Sequence, residues 1–219
     1  MLGMADQAKS SRGARLIWKN KPSQPRAAVL VLHGGQAHGT HPTSWWQASV
    51  LRVMPFANAI ARAGRDDVAV AFLRYAVRGW NEAGDPMIDA RWAVGEIERT
   101  YGDLPLGLVG YSMGGRVALQ LAGDCRPAAV VTLSAWVEPA EAAQWRPCPG
   151  LKALVLHGGS DRVTDPAGSE LAARTLRAGG SEVEAEIVPG DTHAILKNGR
   201  YWHRRTADFV VTSLRAASP

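Results

Sequence analysis

Three residues set far apart in the chain, Ser112, Asp161 and His193, are of the types that together turn an alcohol into a nucleophile. A serine hydroxyl attacks poorly unless a base takes its proton and a third group orients that base. Ser112 lies at the centre of Gly110-Tyr111-Ser112-Met113-Gly114, a G-x-S-x-G word. Gly107 to Val109 reads as the end of a buried strand and Arg116 to Ala122 as the start of a helix, so the serine falls on a sharp strand-to-helix turn. Such a turn puts the serine in an uncommon backbone conformation, and glycines on both sides let neighbouring backbone pass close. The amide of Met113, at the first turn of the helix, then points toward any oxygen on the carbon that Ser112 attacks.

The partners stand past two later strands. Asp161 follows the run ending at Leu156, in His157-Gly158-Gly159-Ser160-Asp161, and His193 follows the run ending at Val188, in Pro189-Gly190-Asp191-Thr192-His193. The order Ser, Asp, His suits a nucleophile on such a turn. Asp161 has a rival reading as a turn or capping carboxylate, a part that Asp165 before Pro166 fits better. Asp191 is a second candidate to orient His193, and His203 lies on a helical stretch and reads as surface. On the opposite side, His33-Gly34-Gly35-Gln36 supplies a second oxyanion amide, from Gln36 with Gly35 as the rival, and His33 reads as a structural histidine. His38 and His41 have no carboxylate or thiolate at ligand spacing, so no metal is expected, and no cofactor is called for.

Positioning these groups requires elements that alternate. Ala27 to Leu32 is a continuous apolar run bounded by glycine, the pattern of a strand buried on both faces. Strands are read at Arg15–Lys19, Val68–Tyr75, Leu104–Val109, Ala128–Leu133, Leu151–Leu156 and Val183–Val188, and helices at Ala48–Ala63, Met87–Thr100, Arg116–Ala122, Pro166–Ala178 and Tyr201–Leu214. Pro55 is expected to interrupt or restart the first helix. Residues 1–14 read as a flexible tail and residues 15–219 as one α/β domain, a mostly parallel sheet of about seven strands with helices on both faces. Reactive groups then belong at the carboxyl ends of the strands. Trp45, Trp46, Trp80 and Trp136 fall in loops on that edge and could line a flat apolar pocket, with core filling as the alternative. Arg78 could meet a substrate carboxylate or serve a structural ion pair.

At 219 residues, 46% apolar and 21% charged, the chain is long and apolar enough for a substantial core. No run is apolar enough to span a bilayer and Met1 to Arg15 has no apolar signal core, so a cytoplasmic address with no membrane partner is expected. Cys125 and Cys148 are too few for a disulfide scaffold and neither is placed as a nucleophile. The net charge of +5 has its arginines scattered among acids such as Glu96 and Glu98. That pattern reads as a solvated basic surface with no nucleic-acid partner.

Taken together, His33-Gly34-Gly35, Gly110-Tyr111-Ser112-Met113-Gly114-Gly115, Gly159-Ser160-Asp161 and Gly190-Asp191-Thr192-His193 make the chain resemble an α/β-hydrolase, from Ala27 to Leu214. The likeness is to the compact esterases and dienelactone-hydrolase-like members. It implies Ser112 as nucleophile, His193 as base and acid, Asp161 as orienter, and the amides of Met113 and a residue after Gly34 as oxyanion donors. It also implies a small-molecule ester or thioester as substrate. The serine stands where dienelactone hydrolases proper carry cysteine. There is room for one strand before the core rather than two, and too little chain between Val130 and Leu154 for a helical cap. Alternatives on the same fold are a non-catalytic binder, or acyl-transfer, lyase or cyclising chemistry by the same three residues.

Overall fold

A computed structural model describes residues 7–218. Its centre is one eight-stranded sheet in the order β1-β2-β4-β3-β5-β6-β7-β8. These strands are β1 (Gln7–Lys9), β2 (Arg15–Asn20), β3 (Ala27–Leu32), β4 (Val68–Arg74), β5 (Leu106–Tyr111), β6 (Ala129–Leu133), β7 (Lys152–Gly158) and β8 (Glu182–Val188). From β4 to β8 every neighbouring pair is parallel, whereas β1 and β2 join antiparallel at one edge.

The inner strands are apolar throughout because both faces are covered. Along β3, Ala28, Leu30 and Leu32 point into one core while Ala27, Val29 and Val31 point into the other. Helices α2 (Asp85–Tyr101), α3 (Met113–Cys125) and α5 (Pro166–Ala178) close the first core, through residues such as Ala90, Val117 and Ala172. On the other face α1 (Ala48–Gly64) and α6 (Gly199–Ala217) bury Phe56, Ile60, Trp202 and Val210. Asp165 caps α5, accepting a 2.9 Å bond from the Ala167 amide.

Two expectations change. Gln7–Lys9 is a strand where a tail was read, so two strands precede the core and the sheet has eight. Its three residues carry no hydrophobic period, and only their pairing with β2, Gln7↔Ile17, Ala8↔Leu16 and Lys9↔Arg15, defines it. The rest of the expected tail, residues 1–6, lies outside the described residues. Pro55 sits inside an unbroken α1. It removes one backbone bond, but Val50, Val53, Phe56, Ala57 and Ile60 are buried on either side of it and hold the helix together.

Between β6 and β7 the chain forms only the four-residue helix α4 (Pro139–Ala142), and no large cap rises over the sheet edge. Among the described residues, no helix is long and apolar enough to cross a membrane.

Candidate active site

Ser112 caps α3 directly after β5 and has φ 55 and ψ −118, a conformation that side-chain-bearing residues rarely adopt. The flanking glycines are there for want of space. A Cβ on Gly110 would lie 2.1 Å from the Gly114 carbonyl oxygen, and one on Gly114 would lie 2.4 Å from that of Leu32. The turn is pinned at its backbone as well. Ser112 N–H donates to Leu133 O at 3.0 Å, and its carbonyl accepts from Gly115, Arg116 and Trp136.

β7 and β8 end on the same edge and deliver the other two residues. His193 Nε2 is 3.0 Å from Ser112 Oγ, and its Nδ1 is 2.8 Å from Asp161 Oδ2. A carboxylate can only accept, so Nδ1 carries the hydrogen and Nε2 is left to receive the serine proton. The imidazole leans on the Tyr111 ring, 5.1 Å between centroids, and the Tyr111 hydroxyl donates to the His193 carbonyl at 2.9 Å. Two residues on, Ile195 is buried with φ 53, a left-handed conformation costly for a β-branched side chain.

Asp161 is buried and heavily bonded. Its Oδ1 accepts from the amides of Val163 (2.8 Å) and Thr164 (3.1 Å), while Thr164 Oγ1 lies 2.9 Å from Oδ2. Burial pushes its pKa up, but the bonds from His193 and those two amides outweigh this and leave the carboxyl below its ordinary value. The rival orienter is otherwise engaged. Asp191, fully buried, accepts from Trp202 Nε1 at 2.8 Å and from the amide of Lys197 at 3.1 Å.

Two contributors were not singled out from the sequence. Thr164 is one. The other is His157, fully buried, whose Nε2 faces Asp161 Oδ2 at 3.3 Å and Thr164 O at 3.2 Å, with Ser169 Oγ 2.6 Å from Nδ1. All its Nε2 neighbours can accept, so that nitrogen bears the hydrogen and Nδ1 accepts from the serine. Burial holds the ring's pKa below its ordinary value. A histidine closing the apolar run Leu154–Leu156 was the available signal, since a buried imidazole must find partners.

Gln36 is corrected as an oxyanion donor. Its N–H is spent on Arg78 O at 3.0 Å, part of a short ladder that zips residues 36–43 onto residues 76–81. The amides of Gly35 and Met113 have no acceptor among the described residues. The loop carrying Gly35 reaches the serine, because a Cβ on Gly34 would lie 3.2 Å from Ser112 Cβ. His33 is structural, with Nδ1–H donating to Gly34 O at 2.6 Å and Nε2 accepting from the Tyr75 amide at 3.2 Å. Arg78 is held by Pro42 O.

The tryptophans divide. Trp80 and Trp136 meet edge to face, and the Arg116 guanidinium sits in the corner they make, at 3.8 and 4.0 Å from their ring centres, while Arg116 also pairs with Glu141. One face of each indole is therefore taken by a cation, which a pocket reading from the sequence did not foresee. Trp136 nonetheless abuts the serine turn through its amide. Trp45 lies beneath the Arg74 guanidinium and Trp46 is 84% exposed. Burial raises both thiols, Cys125 to about 12, which leaves them protonated and unreactive.

The profile of the dienelactone hydrolase family matches residues 65–211, a stretch holding Ser112, Asp161 and His193. The chain belongs to the dienelactone hydrolase family. Solved structures similar to this family member include a lidless α/β serine hydrolase from Xanthomonas campestris (15% identity, 100% of this chain and 98% of that one, TM-score 0.69). Another is MGS-M1, an α/β hydrolase from a deep-sea metagenome (18%, 98% and 100%, 0.73). A third is the thermostable carboxylesterase EstE1 from a metagenomic library (18%, 95% and 87%, 0.70). At these identities the likeness establishes a shared α/β-hydrolase fold. No curated protein matches the chain.

Proposed function

We propose that this dienelactone hydrolase family member is a serine hydrolase that cleaves carboxylic esters or thioesters through an acyl-enzyme on Ser112. The observation that carries the reading is the unbroken hydrogen-bond chain Asp161 Oδ2, His193 Nδ1–H, His193 Nε2, Ser112 Oγ, at 2.8 and 3.0 Å.

His193 Nε2 takes the hydroxyl proton as Ser112 Oγ bonds to the carbonyl carbon, and the carbonyl π pair moves onto oxygen. The amides of Met113 and Gly35 receive that oxyanion. As the tetrahedral adduct collapses, the bond to the alcohol or thiol breaks and His193 returns the proton to it. Water then attacks the acyl-enzyme by the same route, giving the acid and restoring Ser112. Asp161 holds the imidazole in the working tautomer and balances its positive charge in both halves.

The test is covalent. A fluorophosphonate will add its phosphonyl group to Ser112, read as a mass increase on the peptide containing it. Ser112→Ala will abolish labelling and lower ester turnover by about six orders of magnitude. An unlabelled protein, or a Ser112→Ala variant with most of its esterase activity, would overturn the proposal.

A further inference from the structure

Arg116 is a charged side chain that the chemistry above does not use, and it stands where the segments carrying the two oxyanion amides meet. Its side chain is only 7% exposed, and a guanidinium keeps its charge even when buried. Glu141 balances that charge through a fork, accepting from Nε at 2.7 Å and from Nη2, and is itself braced by Gln120 Nε2 at 2.6 Å. Nη1 is buried with no hydrogen-bond partner among the described residues. A hydrocarbon of similar volume would fill the same space without these costs, so packing alone does not account for an arginine.

Each amide of the hole rides on its own segment. Met113 opens α3, and Arg116 completes the first turn of that helix, its amide donating to Ser112 O at 3.2 Å. Gly35 lies on the loop that residues 76–81 hold in place, and its neighbour Gln36 accepts at its carbonyl from the Trp80 amide at 2.8 Å. A third segment follows β6, where the Trp136 amide donates to Ser112 O at 3.1 Å and the Trp136 Nε1 donates to Glu138 at 2.6 Å. The loop and α3 touch without slack, because a Cβ on Gly35 would lie 2.4 Å from Met113 Cε. All three segments come together at the guanidinium, which packs on the Trp80 ring from the loop and on the Trp136 ring from the strand end. A flat cation satisfies both rings and the carboxylate at once, which an ammonium or an alkyl group does not.

We infer that Arg116 is a positioning residue of the oxyanion hole: it locks the Gly35 loop against the Ser112–Met113 turn and so fixes the separation of the two donating amides. The inference rests on the acyl-enzyme reading, since the hole has work only where a tetrahedral oxyanion forms. Formation and breakdown of the acyl-enzyme both pass through such an oxyanion, so a loosened hole slows the two steps alike and lowers kcat while leaving KM in place.

The experiment uses the full chain in two variants. Arg116→Met/Glu141→Gln removes the fork without stranding a carboxylate, and Arg116→Lys keeps the charge but not the fork. A thermal melt establishes that each is folded, and the second stands in if the first is not. With p-nitrophenyl butyrate, kcat will fall by about tenfold to a hundredfold in both while KM stays within about twofold. Affinity for an aliphatic trifluoromethyl ketone, whose adduct with Ser112 puts an oxyanion in the hole, will fall by the same factor as kcat. Wild-type kcat in either variant, a loss carried by KM, or an unchanged affinity for the ketone overturns the inference. Failure of both variants to fold overturns it too, in favour of a purely structural arginine.

Failure of the reaction itself is read separately. If no ester turns over in wild type and fluorophosphonate leaves Ser112 unmodified, the acyl-enzyme reading falls and the lock is judged by amide hydrogen exchange. In the folded variants the Gln36 and Trp80 amides will exchange roughly tenfold faster than in wild type, while those of β7 and β8 keep their rates. Equal rates at Gln36 and Trp80 overturn it.

Discussion

His157 Nε2 lies 3.3 Å from Asp161 Oδ2, the same oxygen that receives His193 Nδ1–H at 2.8 Å. Two buried or half-buried imidazoles thus share one acceptor, and each lone pair committed to His157 is unavailable to His193. A His157→Leu variant removes one of the donors that fix Asp161, so the carboxylate will hold His193 less rigidly and kcat/KM will fall by about tenfold. The same change strands the Ser169 hydroxyl, at a cost of about 1–3 kcal/mol. A kcat/KM equal to wild type, measured beside a thermal melt, would show that His157 serves packing alone.

Asp161→Asn is expected to be far more damaging. The amide can present N–H where a carboxylate accepts, favouring the tautomer with hydrogen on His193 Nε2, which cannot take the serine proton. Turnover will fall by about four orders of magnitude while the fold survives, as measured by steady-state kinetics beside a thermal melt.

Acid will weaken the folded state through its buried histidines. Burial depresses His33 from an ordinary 6.5 to about 4, with a smaller opposing effect of its bond to Gly34. Between those values the unfolded chain binds a proton that the folded one refuses. The stability contributed by neutral His33 is therefore complete above about pH 6.5 and lost progressively toward about pH 4, roughly 3 kcal/mol in all. His157 acts in the same direction. Asp161, depressed instead, adds stability above the ordinary carboxylate value that is lost only as pH falls through its lower folded pKa. Urea midpoints measured across this range will fall on acidification, and His33→Gln will flatten the slope.

Gly114→Ala tests the turn without touching a reactive atom. Its methyl would meet backbone oxygens of Leu32 and His33 at 2.4 and 2.7 Å, so α3 must move away from β3 and carry Ser112 off His193. Stability will drop by about 1–3 kcal/mol, and fluorophosphonate labelling will slow by a larger factor than unfolding accounts for.

Most of the sheet was legible because its strands are buried on both faces: Ala27–Leu32 appears with the bounds its apolar run announces. The three site residues were legible because each follows a strand end in a word rich in glycine. What escaped depends on partners distant in sequence. Nothing near Gln36 reveals that Arg78 claims its amide, nothing near Trp80 and Trp136 reveals the guanidinium between them, and Gln7–Lys9 becomes a strand only beside β2. The start of α3 at Met113 rather than Arg116 was hidden by three small or flexible residues that a periodicity cannot place.

Ile195 bears on heat tolerance. Its backbone is twisted against its own preference, two residues from His193, and is kept so by burial and by the 3.0 Å bond from its amide to Thr192 O. That segment gains more than its neighbours by letting go, so warming will silence the enzyme before it melts the sheet. Residual activity plotted against temperature will fall ahead of the calorimetric transition, and Ile195→Gly will narrow the gap between the two curves.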